Sequence, residues 1–199
     1  GRGRRRGSLA VVGGVGTIAG QKVRLRRKRL SDARNDYAWQ TNAELAQLDA
    51  APLLTTSYEQ YIVDYTTELR WPTSSRRIFG IETFDGKHIG NCVYYNIDER
   101  KGDAEMGIML GDRDYWDKGY GTDVACTLVD HIFSETKIKR LYLKTLEWNH
   151  RAQRCFEKCG FTAFGRMTRA GYNFLQMELH HKDWEARKVE ALSGLESEE

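Results

Sequence analysis

Between Arg77 and Leu110 the apolar residues alternate; beyond Gly119 they recur every third or fourth position instead. That switch of period limits the fold more than any other feature. Side chains of a strand point to opposite faces in turn, whereas a helix returns to one face about every 3.6 residues. Arg77 to Thr83 and His88 to Ile97 read as strands joined at Asp85-Gly86, a pair suited to the positive φ of a tight hairpin. Lys101-Gly102 turns the chain into a third strand, Ala104 to Leu110, which completes an antiparallel meander. Val124, Leu128 and Ile132, with Ala125, Val129 and Phe133, then trace one face of a helix.

The flanks extend the pattern. Lys22 to Leu30 reads as a strand, and Ser31 or Asp32 caps a helix running to about Asn42 or Leu48. Ser57 with Gln60 forms a capping box before a helix from Tyr58 to Arg70, stopped by Pro72. Arg140 to Leu146 is a strand, Asn149 caps a helix with the stripe Ala152, Cys155, Phe156 and Cys159, and Gly160 stands where a helix ends. Phe161 to Met167 and Phe174 to Leu179 form a closing pair of strands, and a polar helix or tail follows from Trp184. The fold class is α/β: one domain at about 22–181 around a mixed sheet, with a lead at 1–21 and a polar C-terminal segment at 182–199.

Charge is distributed unevenly. Ten of the 31 Lys and Arg fall in residues 1–30, which hold no acid, so residues 31–199 carry 21 bases against 28 acids, a net of −7. A basic lead can engage RNA or a membrane surface; the preferred reading of its first twenty residues is instead a tag, linker or flexible tail. Gly14-Val15-Gly16-Thr17-Ile18-Ala19 matches a dinucleotide fingerprint, but the segment after it alternates like a strand where that motif needs a helix. An overall charge of +3 argues against a nucleic-acid coater, and no apolar run reaches the ~20 residues of a membrane span. Cys92, Cys126, Cys155 and Cys159 lack disulfide-framework or zinc spacing and read as buried thiols, which suits a cytoplasmic protein without a metal centre.

The segment that carries chemistry is Trp116-Asp117-Lys118-Gly119-Tyr120-Gly121-Thr122, between a strand and an amphipathic helix. Glycines there let backbone N–H groups turn toward an anion at a helix N-terminus. This loop, with Asn149-His150-Arg151-Ala152 and Phe156-Glu157-Lys158-Cys159-Gly160-Phe161, resembles the two signatures of the GCN5-related N-acetyltransferase (GNAT) superfamily. The wording around Tyr115 to Thr122 is similar to its ribosomal-protein N-terminal acetyltransferase branch (RimJ/RimL-type). Trp116 stands where the family usually has Arg or Gln.

The resemblance implies a mostly antiparallel sheet whose two central strands, Ala104–Leu110 and Arg140–Leu146, splay to admit acetyl-CoA. It implies that the pyrophosphate rests on the loop from Trp116 through Asp117, Lys118, Gly119, Tyr120 and Gly121 to Thr122, with Asn149 and Phe156 lining the cofactor. Backbone at Met109 and Leu110 would meet the thioester. Glu105 is then a candidate base acting through water, and equally a solvated or salt-bridged strand residue. Phe156 takes the place of a Tyr that in many members protonates the leaving thiolate; Tyr94, Tyr95, Tyr120 and Tyr172 are other donors, or packing aromatics. The implied acceptor is a primary amine, either a small amine or a protein N-terminus reached with help from the basic lead. A homodimer and a non-catalytic acyl-CoA-binding domain stay open.

Overall fold

A computed structural model describes residues 16–196. Most of the basic lead therefore lies outside the described residues. Among them a single sheet of eight strands runs in the order β1-β2-β3-β4-β5-β6-β8-β7. The short β1 (Ile18–Ala19) and β2 (Val23–Arg26) form an edge hairpin, so no helix follows the Gly14–Ala19 fingerprint. β3 (Arg76–Thr83), β4 (His88–Asp98) and β5 (Asp103–Leu110) are the expected meander, turned at Gly86 and Gly102, both at positive φ. β6 (Arg140–Leu146) runs parallel to β5, while β7 (Thr162–Arg169) and β8 (Tyr172–His180) close the far edge.

The splay is visible in the register. β5 and β6 pair only over Asp103–Glu105 against Arg140–Tyr142, so the edge of β5 from Met106 onward faces a gap. Burial explains which helix fills which face. Ala104, Met106, Leu141, Leu143, Val23, Leu25, Phe79 and Ile81 pack under α4 (Tyr120–Glu135), whose buried stripe includes Val124, Leu128, Ile132 and Phe133.

On the other face lie α1 (Ala33–Gln40), α2 (Ala43–Leu48) and α3 (Tyr58–Arg70). Of the two ends expected for the first helix, about Asn42 or Leu48, the structure takes the earlier: the Asn42 side chain accepts from Glu44 N and Leu45 N and starts α2 afresh. Ser57 caps α3 as expected, accepting from Gln60 N at 3.3 Å. α5 (His150–Lys158) ends at Gly160, φ 104°, and α6 (His181–Glu196) follows β8 directly.

The cysteines depart from the sequence reading. Cys126 of α4 and Cys159 at the end of α5 are joined as a disulfide, their Cα atoms 5.4 Å apart. They are 33 residues apart, so spacing alone could not pair them. Cys92 and Cys155 are free thiols, the first wholly buried with its thiol pushed up by that burial. Thiol titration of the unfolded, unreduced chain should therefore find two reactive groups, and four after reduction; four at the outset would refute the bridge.

Candidate active site

The gap beside β5 opens into a cleft of about 310 Å³. Its walls are the end of β5 (Ile108, Met109, Leu110), the loop before α4, the exposed side of α5, and the end of α2. The loop earns its shape from two left-handed residues, Asp117 (φ 57°) and Gly119 (φ 84°). No side chain caps α4 at Gly119, so its first-turn amides lack an intrahelical acceptor and face the cleft mouth at Gly121 and Thr122. Asp123, in that same turn, accepts from the amides of Gln21, Lys22 and Val23 and ties the β1–β2 turn against the loop.

Trp116 has a defined task here. Its indole Nε1 donates to Leu110 O at 2.9 Å, pinning the loop to the end of β5, and the Arg151 guanidinium stacks 3.9 Å from its ring. Of the predicted loop residues, Trp116, Asp117, Gly119, Gly121 and Thr122 line the cleft. Lys118 is exposed outside it, and the Tyr120 ring packs instead against Tyr115 and Lys22.

Backbone parity refines the expectation at β5. Gly111 N donates to Ile89 O of β4, and backbone groups alternate in direction along a strand. The Met109 amide therefore faces β4 as Gly111's does, while those of Ile108 and Leu110 face the gap. Glu105 lies outside the cleft lining. It is buried, with Lys144 Nζ at 2.8 Å from one carboxylate oxygen and Asn96 Nδ2 at 3.1 Å from the other. Lys144 also approaches the Tyr95 hydroxyl, at 3.4 Å.

Asn149 caps α5 through Ala152 N, leaving its own amide N–H groups to the cleft. Phe156 is buried edge-on to Phe161 and lines the cleft with no proton to give. None of the four candidate tyrosines lines it: Tyr94 lies in the core, Tyr172 packs on Phe174, Tyr120 on Tyr115, and Tyr95 stands by Lys144.

Several lining residues escaped the sequence reading. Arg151, Arg154 and Lys158 recur at i, i+3 and i+7 on α5 and bring three cations to one wall. That spacing was legible; its facing was not. Asp49 ends α2 on the opposite wall, beside Leu45 and Leu48.

Comparison with known proteins decides the family. Residues 22–162 match the model of the acetyltransferase (GNAT) domain. The chain belongs to the GNAT acetyltransferase family. A GNAT relative named uncharacterized N-acetyltransferase p20, from Bacillus licheniformis, is 25% identical over 129 residues, covering 64% of this chain and 72% of its own. The spermine/spermidine N(1)-acetyltransferase of Bacillus subtilis is 28% identical over 101 residues, 48% of this chain and 66% of its own. Among solved GNAT structures, the spermidine N-acetyltransferase of Vibrio cholerae with CoA and spermine superposes at a TM-score of 0.72 and 18% identity. It covers 81% of this chain and 97% of its own. An aminoglycoside acetyltransferase with coenzyme A gives 0.68 and 20%, over 83% and 99%. At those identities the superpositions speak for the fold. This GNAT chain is an acetyltransferase built on a mixed, mostly antiparallel sheet.

Proposed function

We propose that the chain transfers an acetyl group from acetyl-CoA to the primary amine of a small cationic acceptor, by direct attack of the amine on the thioester. The observation that carries this is the cleft itself. One apolar trough runs from the uncapped N-terminus of α4 to the unpaired edge of β5, with the cations of α5 along its side. Amides at a helix N-terminus suit a pyrophosphate, and Arg151, Arg154 and Lys158 suit the remaining phosphate charge. A strand edge suits the amides of a pantetheine arm, which pairs like an added strand. The Ile108 and Leu110 N–H groups face the gap where the thioester carbonyl arrives, and a donor there stabilises the oxyanion formed on attack. A thiol with a pKa of about 8.5 leaves without a strong acid, so Phe156 is compatible with turnover.

A small cationic acceptor is favoured over a protein N-terminus by the net-acidic body at residues 31–199 and by the polyamine and aminoglycoside acetyltransferases among the similar proteins. The similarity of Tyr115 to Thr122 to the ribosomal-protein branch keeps a peptide N-terminus in the test. Among the described residues no helix is long and apolar enough to cross a membrane. The deciding experiment offers acetyl-CoA with a panel of polyamines, amino sugars and peptides, and follows thiol release with mass detection of the amide. Release with a polyamine or amino sugar is the expected result. Binding of CoA with no turnover on any amine would favour a non-catalytic acyl-CoA-binding domain.

A further inference from the structure

The carboxylate expected to serve as base, Glu105, has both oxygens engaged and stands outside the cleft. The wall facing the β5 edge offers another. Asp49 ends α2 in the cleft, and among the described residues its carboxylate has no hydrogen bond and no ion pair. The carbonyl end of a helix also favours a cation. We propose that Asp49, rather than Glu105, receives the acceptor: its carboxylate pairs with the incoming ammonium group and takes the proton that must leave before the nitrogen can attack. This rests on the acetyltransferase reading above.

The balance of the step is simple. The ammonium gives one proton to Asp49, and the freed lone pair forms the C–N bond at the thioester carbon. The C–S bond breaks, and the departing thiolate takes the second N–H proton. Asp49 returns its proton to water through the open cleft.

Charge around Asp49 fits that duty. Asp49 is an exposed residue of the free protein, yet crowding by the cleft walls pushes its carboxyl up to about 6, against the pull of Lys144. The side chain still meets water in the open cleft, and a bound donor that excludes this water acts in the same direction. Lys144 on β6 is the opposing charge that acts on it, but it is held by Glu105, with Tyr95 of β4 beside it. Glu105 thus becomes a positioning residue, which keeps Lys144 from neutralising Asp49. From α5, Arg151, Arg154 and Lys158 share the cleft, and Arg151 pairs with Asp117 at 3.7 Å.

The test compares Asp49→Asn, Asp49→Glu and Glu105→Gln on whichever amine the wild type acetylates best. In the wild type kcat/KM should rise to a plateau above about pH 6. In Asp49→Asn, turnover at pH 7 should fall roughly 10²-fold or more. Its profile should then climb with the free-amine fraction toward pH 9–10, while the melting temperature and CoA affinity hold. Asp49→Glu should regain part of the plateau. A wild-type profile in Asp49→Asn, or loss of the plateau in Glu105→Gln alone, overturns the assignment and leaves the acetyltransferase reading standing. No turnover by the wild type on any amine overturns both.

Discussion

Gly121→Val should abolish binding of CoA and leave the protein folded. Gly121 opens the first turn of α4, inside the cleft, and a Cβ there would lie 3.3 Å from Cys155 Sγ and 3.7 Å from Leu110 Cδ1. Alanine is tolerated, since a half-buried thiol can give by a few tenths of an ångström. The two γ-methyls of valine have no such room and must enter the trough between α4 and the end of β5. There they would bar an anion from the amides of Gly121 and Thr122. Hydrogen bonds to a charged group contribute about 1.5–3 kcal/mol each, so losing two should lower affinity more than 100-fold. Calorimetric titration with CoA measures it, with Gly121→Ala, expected within tenfold, as the control for backbone change. A valine variant that binds CoA like the wild type would remove the loop from the donor site.

What the sequence disclosed was local. Asp85-Gly86, Ser57 with Gln60, and Gly160 act on their immediate neighbours, and the elements they bound formed where expected. The glycine loop was legible for the same reason. What stayed hidden depends on distant partners. Whether Met109 or Leu110 turns its amide to the gap is set by register with β4, and nothing within β5 encodes it. Cys126 and Cys159 meet only when α5 packs on α4. Glu105 acquires its role from Lys144, 39 positions away. Asp49 reads as one more acid at a helix end until α2 is laid across the cleft. The end of the first helix near Asn42 belongs with the local signals, since an Asx cap acts on its own neighbours; the helix period running on to Leu48 left a second end open beside it.

The largest loss of stability should follow Asp32→Asn. Arg24 and Arg26 on β2 alternate with the buried Val23 and Leu25 and so point to the face beneath α1, where Arg26 is almost wholly buried. Asp32, 2% exposed, accepts from both Arg26 terminal nitrogens, at 2.7 and 2.9 Å, and from Arg29 N at 2.8 Å. Glu82 takes the Arg26 Nε, and His88 stands 3.5 Å from Asp32. A neutral amide at 32 leaves the guanidinium with one counter-charge in a dry site, a change that costs about 3–5 kcal/mol.

The pH dependence carries its own sign. Burial alone would raise the Asp32 carboxyl, but Arg26 and the Arg29 amide outweigh it and hold the group down to about 2. A carboxyl depressed on folding lends stability above its unfolded value of about 3.9 and loses it as pH falls through about 2. That contribution is on the order of 2–3 kcal/mol. Thermal melts between pH 5 and 2 should therefore fall in the wild type by that increment more than in Asp32→Asn. Equal slopes would show that Asp32 is not the group that fails in acid. His88 adds an earlier component of the same sign. Burial and Lys28 lower its pKa, so the unfolded chain binds that proton first as pH drops below about 6.5. The network also bears on the cleft, because the His88 ring packs 5.0 Å from Trp39, and Trp39 occupies the space a side chain on Gly111 would need. Loosening Asp32 should therefore release the end of α1 at the foot of β5, and CoA affinity should drop in step with stability.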